Sequence, residues 1–126
     1  MPKTVPKLPD VPAGRYPFSQ IVEANGFVFL AGQVGDIPGQ HGAVPGGIEA
    51  ETRQMLDNVG RLLRAAGLDY GDVVKATVYL RDFADFAAMN AVYREFFPVE
   101  PPTRATVGVT ALAEDFRVEI EVMAAR

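Results

Sequence analysis

Hydrophobic residues alternate with polar ones in some stretches of this chain and recur at helical spacing in others. Residues 19–24 and 27–31 flank Asn25-Gly26, a dipeptide suited to a type I′ turn because both central residues accept positive φ at low cost. The segment therefore predicts a β-hairpin. Its second strand, Phe27-Val28-Phe29-Leu30-Ala31, is apolar at every position. A strand buried on both faces needs cover on both, and helices on one side of a small sheet supply only one. The other face is expected to meet a second copy of the chain. From Ile48 onward, Thr52, Met55, Leu56, Val59, Leu62, Leu63 and Ala66 recur at helical spacing, and Gly67 supplies the stop. Gly60 inside this predicted helix costs about 1 kcal/mol relative to alanine and marks close approach of a neighbouring element. Residues 73–80 read as a strand. A second helix, capped by Asp82 or Asp85, carries Phe86, Met89, Val92, Tyr93, Phe96 and Phe97 and ends at Pro98.

Two further strands bring the first candidate chemistry. Pro101-Pro102 lacks two backbone donors and fits a strand entry. Beyond it Arg104, Thr106, Gly108 and Thr110 share one face, while Thr103, Ala105, Val107, Val109 and Ala111 share the other, more apolar one. The apolar set reads as the core face, which puts Arg104 on the opposite side. In the last strand, residues 116–124, Phe116, Val118, Ile120 and Val122 form the core face, and Arg117, Glu119, Glu121 and Met123 point away. A short connection at residues 112–115 is expected to pair the two strands as a hairpin, with Arg104 and Glu119 nearly opposite on one wall. That pair reads in two ways. One is a cross-strand ion pair worth about 0.2–1 kcal/mol. The other is a guanidinium fork for an anion beside a carboxylate for proton transfer.

The predicted order is β-β-α-β-α-β-β, an α+β fold with an antiparallel or mixed sheet and two helices on one face. Residues 1–126 read as a single domain, and residues 1–14, with four prolines, as an extended N-terminal arm, mobile at its start. Residues 35–47, with five glycines and two prolines, form a long loop of the kind that often carries function.

Composition narrows the chemistry. At 126 residues, 48% hydrophobic and 22% charged, the chain is globular rather than disordered. A net charge of -4 argues against a nucleic-acid partner, whose affinity rests on clustered Lys and Arg. No run has the length of a membrane span, no signal-peptide core opens the chain, and there is no cysteine. A soluble cytoplasmic protein is expected. His41 is the only histidine and sits in the Gly/Pro loop, so triads and His-rich metal sites are unavailable within one chain. Catalysis is left to carboxylates, arginine, hydroxyls, amides and water.

A series of short motifs then follows in order: Pro17-Phe18-Ser19-Gln20, Ala31-Gly32-Gln33, Asp57-Asn58, Ala65-Ala66-Gly67-Leu68, Asp72-Val73-Val74-Lys75, Asp85-Phe86, Met89-Asn90, Phe96-Phe97-Pro98, Pro102-Thr103-Arg104 and Val118-Glu119-Ile120-Glu121. Each is weak alone, but the succession, running from Pro17 to the C-terminus, resembles the YjgF-type or reactive intermediate deaminase (Rid) family. The resemblance implies a chorismate-mutase-like subunit assembled as a homotrimer, with a ligand cleft between subunits and no metal or organic cofactor. It implies hydrolysis of reactive 2-imino acids, tautomers of enamines, to 2-oxo acids and ammonia. By position, Arg104 matches the family's carboxylate-binding arginine and Glu119 the glutamate that orients water and moves protons. Asn90 and Gly32 match cleft positions. Phe18 stands where deaminase-type members carry tyrosine, keeping the ring without the hydroxyl. Thr106 stands where some have cysteine, and Ala31 where many have serine. The expected partner is a small carboxylate or imino acid. A non-catalytic carboxylate-binding trimer is the alternative, and the endoribonuclease or translation-inhibitor roles attached to the family fit the acidic chain poorly.

Overall fold

The computed structural model describes residues 2–8 and 16–126. The strands are β1 (Ile21–Ala24), β2 (Phe27–Leu30), β3 (Gln33–Val34), β4 (Val73–Leu80), β5 (Thr103–Gly108) and β6 (Val118–Ala125). The helix α1 (Gly47–Ala65) precedes β4 and the helix α2 (Phe86–Phe96) follows it. Of the predicted arm, residues 1 and 9–14 lie outside the described residues. Within the described part, Thr4 pairs with Glu23 through two 2.8 Å backbone hydrogen bonds, so the chain runs along the edge of β1.

The hairpin forms as the Asn25-Gly26 pair predicts, with φ of 53° and 81° and Ala24 opposite Phe27. Val73–Leu80 is a strand throughout. The second helix starts directly after Asp85, which takes its N-cap position without a side-chain hydrogen bond. Asp82 accepts from the Ala84 N–H at 3.0 Å and caps a 3₁₀ turn, Phe83–Asp85, that runs directly into α2. The expected close approach at Gly60 comes from Tyr70: a Cβ at residue 60 would overlap its hydroxyl, which donates to the Leu56 carbonyl at 2.7 Å.

The sheet order is β1-β2-β6-β4-β5, with β3 also paired to β6. All pairs are antiparallel except β4 with β5, so the sheet is mixed. The two-residue strand β3 was not anticipated, because so short a segment carries no period. β2 pairs with the end of β6 and β3 with its start, and the chain steps between them at Ala31-Gly32.

α1 and α2 pack together over one sheet face, where Met55, Leu56, Val59, Leu62, Leu63, Met89 and Val92 meet Val28, Ala76, Val78, Leu80, Val118 and Ile120. Two polar side chains fix α1 to the sheet. Glu51, 1% exposed, accepts the Arg117 N–H at 2.6 Å and the Val118 N–H at 3.3 Å. Asn58 donates to the carbonyls of Val34 and Asp36, each at 2.8 Å.

Two expectations are corrected. β5 and β6 do not form a hairpin: β4 lies between them, β5 runs parallel to β4, and the 112–115 connection spans that gap. The faces of β5 are also reversed. Arg104 lies beside Ala76 and Thr106 beside Val78, on the helix-covered side, while Ala105 and Val107 lie beside Thr77 and Tyr79 on the open side. The physical reason is that the open face also carries apolar strand residues among its polar ones. The open face carries Phe27, Phe29 and Val107, at 41%, 42% and 39% exposure. An apolar strand face therefore did not have to be the one beneath the helices.

Candidate functional site

Arg104 sits on the sheet's edge strand, on the helix side. The two prolines before it bring the chain out of the α2 end and into β5, whose register with β4 fixes the side chain over α2. Its guanidinium carbon is 4.6 Å from the centroid of the Tyr93 ring and 5.8 Å from that of Phe86. Arg104 makes no ion pair among the described residues. With Asn90, Tyr93, Arg94 and Pro102 it lines an open groove of about 460 Å³. Asn90 and Tyr93, three residues apart on α2, face this groove together. Thr106 follows Arg104 on the same face; its hydroxyl is buried without a partner and is not part of the groove wall.

Glu119 lies elsewhere. It stands on the open face of β6, opposite Val34 on one side and Tyr79 on the other. Gly32, at the β2–β3 step, makes its space: a Cβ there would overlap the Glu119 carboxylate. Burial raises the Glu119 pKa above the ordinary carboxylate value, and the charge of Glu121 adds to the shift. Glu121 itself accepts from the Tyr79 hydroxyl at 2.6 Å. Glu119 and Gly32 share a second open groove, about 450 Å³, with Phe18, Ser19, Val22 and Phe29. Phe18 is 53% exposed and stacks on Tyr16, with centroids 6.4 Å apart.

The residues singled out from sequence thus fall into two sets on opposite faces of one sheet. Arg104 and Asn90 form a cationic, donor-rich set. Phe18, Gly32 and Glu119 form a largely apolar set with one carboxyl whose pKa burial raises. Within one subunit the strand pairing that was expected to bring Arg104 to Glu119 does not exist. Helical spacing assigns Tyr93 to the core, and its place three residues from Asn90 on α2 is the signal that it also borders the groove. Among the described residues no group of three or more His, Cys, Asp or Glu side chains could hold a metal ion.

The family model described as Endoribonuclease L-PSP matches residues 9–126. The chain belongs to the YjgF/Rid family. As a family member it is similar to the 2-iminobutanoate/2-iminopropanoate deaminase of Capra hircus, with 45% identity over 113 residues, 90% of this chain and 82% of that protein. It is 42% identical over 122 residues to the chloroplastic Reactive Intermediate Deaminase A of Arabidopsis thaliana, covering 97% of this chain but 65% of that longer protein. The crystal structure of the YjgF gene product from E. coli superposes with a TM-score of 0.85 at 38% identity, covering 93% and 94% of the two chains.

Proposed function

We propose that this Rid protein hydrolyses small 2-imino acids to 2-oxo acids and ammonia, in clefts formed where one subunit's Arg104 groove meets a neighbour's Glu119 groove in a homotrimer. One observation carries the reading: each half of the candidate site lacks what the other half holds, and both are open. The exposed Phe27, Phe29 and Val107 give the open face a reason to be covered by another copy. Relatives named as 2-iminobutanoate/2-iminopropanoate deaminases support the choice of reaction.

The chemistry suits the groups. Arg104 holds the substrate carboxylate by two hydrogen bonds and sets the imine carbon in the cleft. Glu119, whose pKa burial raises, protonates the imine nitrogen and then takes a proton from water as the oxygen adds to carbon. Returning that proton to nitrogen releases ammonia, while the hydroxyl gives its own proton back to Glu119 and becomes the 2-oxo group. Glu119 ends as it began, and no cofactor is consumed. The apolar walls around it keep bulk water from competing with the bound one.

Phe18 favours a second reading, a trimer that binds small carboxylates without turnover, because it offers no hydroxyl to the substrate. Decay of 2-iminobutanoate generated in situ separates the two. Wild type is expected to accelerate it, Glu119→Gln to be severely impaired, and Phe18→Tyr to be nearly neutral. No activity in any of the three would favour the binder. The nuclease wording of the family description gains nothing from a chain of net charge -4 whose only histidine is an exposed loop residue.

A further inference from the structure

A guanidinium on an edge strand has few neighbours to fix its direction, and a long side chain free to rotate binds anions weakly because binding must order it. Arg104 is not in that position. Two rings from α2, Phe86 and Tyr93, seven residues and two helical turns apart, lie against it at 5.8 and 4.6 Å. Each ring is itself fixed by another. Phe86 stacks on Phe83 at 5.1 Å and 19°, and Tyr93 packs against Phe97 at 4.7 Å. Tyr93 is 6% exposed, yet its hydroxyl is buried with no hydrogen-bond partner among the described residues. A buried tyrosine normally satisfies that hydroxyl; here the nearby Arg104 guanidinium offsets part of the upward pull of burial on its pKa without a well-formed hydrogen bond, and the closest defined contact to Arg104 is the ring.

We propose that Tyr93 and Phe86 are positioning residues, an aromatic cradle that grips the flat side of the Arg104 guanidinium and leaves its N–H edge turned to the ligand. A planar cation lies flat on a ring face, where the ring's negative face attracts it and water is excluded. The edge that remains is the fork that pairs with a carboxylate at two points. The cradle therefore selects planar oxyanions over single-point anions, and it accounts for how an exposed edge strand can present an ordered anchor. The inference rests on the reading of Arg104 as the substrate anchor.

The test compares Tyr93→Leu, Tyr93→Phe and Phe86→Leu in the assembled protein, after circular dichroism and gel filtration show each to be folded and assembled as wild type is. Calorimetric titration with 2-oxobutanoate reads the anchor. Tyr93→Leu is expected to weaken binding about three- to thirty-fold, the range of a cation–π contact. Phe86→Leu should weaken it less, at the longer distance, and Tyr93→Phe should retain it. In turnover of 2-iminobutanoate the Tyr93→Leu loss should appear in KM, with kcat held within about two-fold. A Tyr93 that merely fills the core would lower stability without this split. Wild-type affinity in a folded Tyr93→Leu overturns the proposal, and so does an equal loss in Tyr93→Phe, which would place the effect on the hydroxyl. If the wild type neither binds 2-oxobutanoate nor turns over the imine, the functional reading fails. The cradle is then judged by the Arg104 Nε–H resonance, assigned by its absence from Arg104→Lys. An upfield ring-current shift that disappears in Tyr93→Leu supports the cradle, and an unshifted or unchanged resonance overturns it.

Discussion

At the scale of single residues, the two decisive side chains owe their character to what surrounds them. Arg104 is a fixed planar cation beside aromatic rings, without an ion pair among the described residues. Its role as a two-point anchor predicts that Arg104→Lys does not rescue Arg104→Ala, because lysine offers a point charge without the fork. Both variants should lose 2-oxobutanoate binding by calorimetry; truncating one member of a desolvated charge pair costs about 2–5 kcal/mol. Retained affinity in either would remove Arg104 from the site. These residue types were legible in the sequence, since a lone arginine after two prolines and a carboxylate in an alternating strand stand out against the pattern. Their faces were not. Alternation states which residues share a side, but it does not say which side the helices cover, and residues such as Val107 and Phe29 are apolar on the uncovered side.

The elements are tied together by polar clasps, one buried and one near the surface, and these carry the predictions about stability. Glu51 joins α1 to β6 by accepting two backbone N–H groups, so Glu51→Ala should cost about 1–3 kcal/mol in denaturant unfolding. Burial raises the Glu51 pKa against the opposing pull of those N–H bonds. A carboxyl with a raised folded pKa contributes most below its unfolded value, and that contribution declines as pH rises through the folded value. Glu23 acts in the opposite sense. The Arg126 guanidinium, 2.7 Å away, lowers its pKa, so its contribution is present above the ordinary carboxylate range and is lost as pH falls. Site-resolved NMR titration should therefore find the two groups displaced in opposite directions, and Arg126→Ala should return Glu23 toward its ordinary value. An undisplaced Glu23 would refute the clasp. Helix and strand periods announced α1, β4, α2 and β6, and Asn25-Gly26 announced the hairpin. Strand order was hidden, because a short connection fits a parallel neighbour's return path as well as a hairpin.

At the scale of the whole molecule, the proposed site needs more than one subunit. One subunit presents Arg104 on its helix side and Glu119, whose pKa burial raises, on its open side, with β4 between the strands that carry them. In the proposed trimer, contact between copies joins them, and the exposed Phe27, Phe29 and Val107 of the open face give that contact an apolar surface. Light scattering coupled to gel filtration should give a trimer, whereas a monomer at micromolar concentration would contradict the shared cleft. The most direct measurement is complementation. Arg104→Ala and Glu119→Gln are each expected to be nearly inactive alone. Unfolded, mixed in equal amounts and reassembled, they should regain activity, because a random trimer joins an intact Arg104 to a neighbour's intact Glu119 at about a quarter of its interfaces. Recovery of imine hydrolysis near that level is the result this account predicts; mixed trimers as inactive as either parent would contradict it.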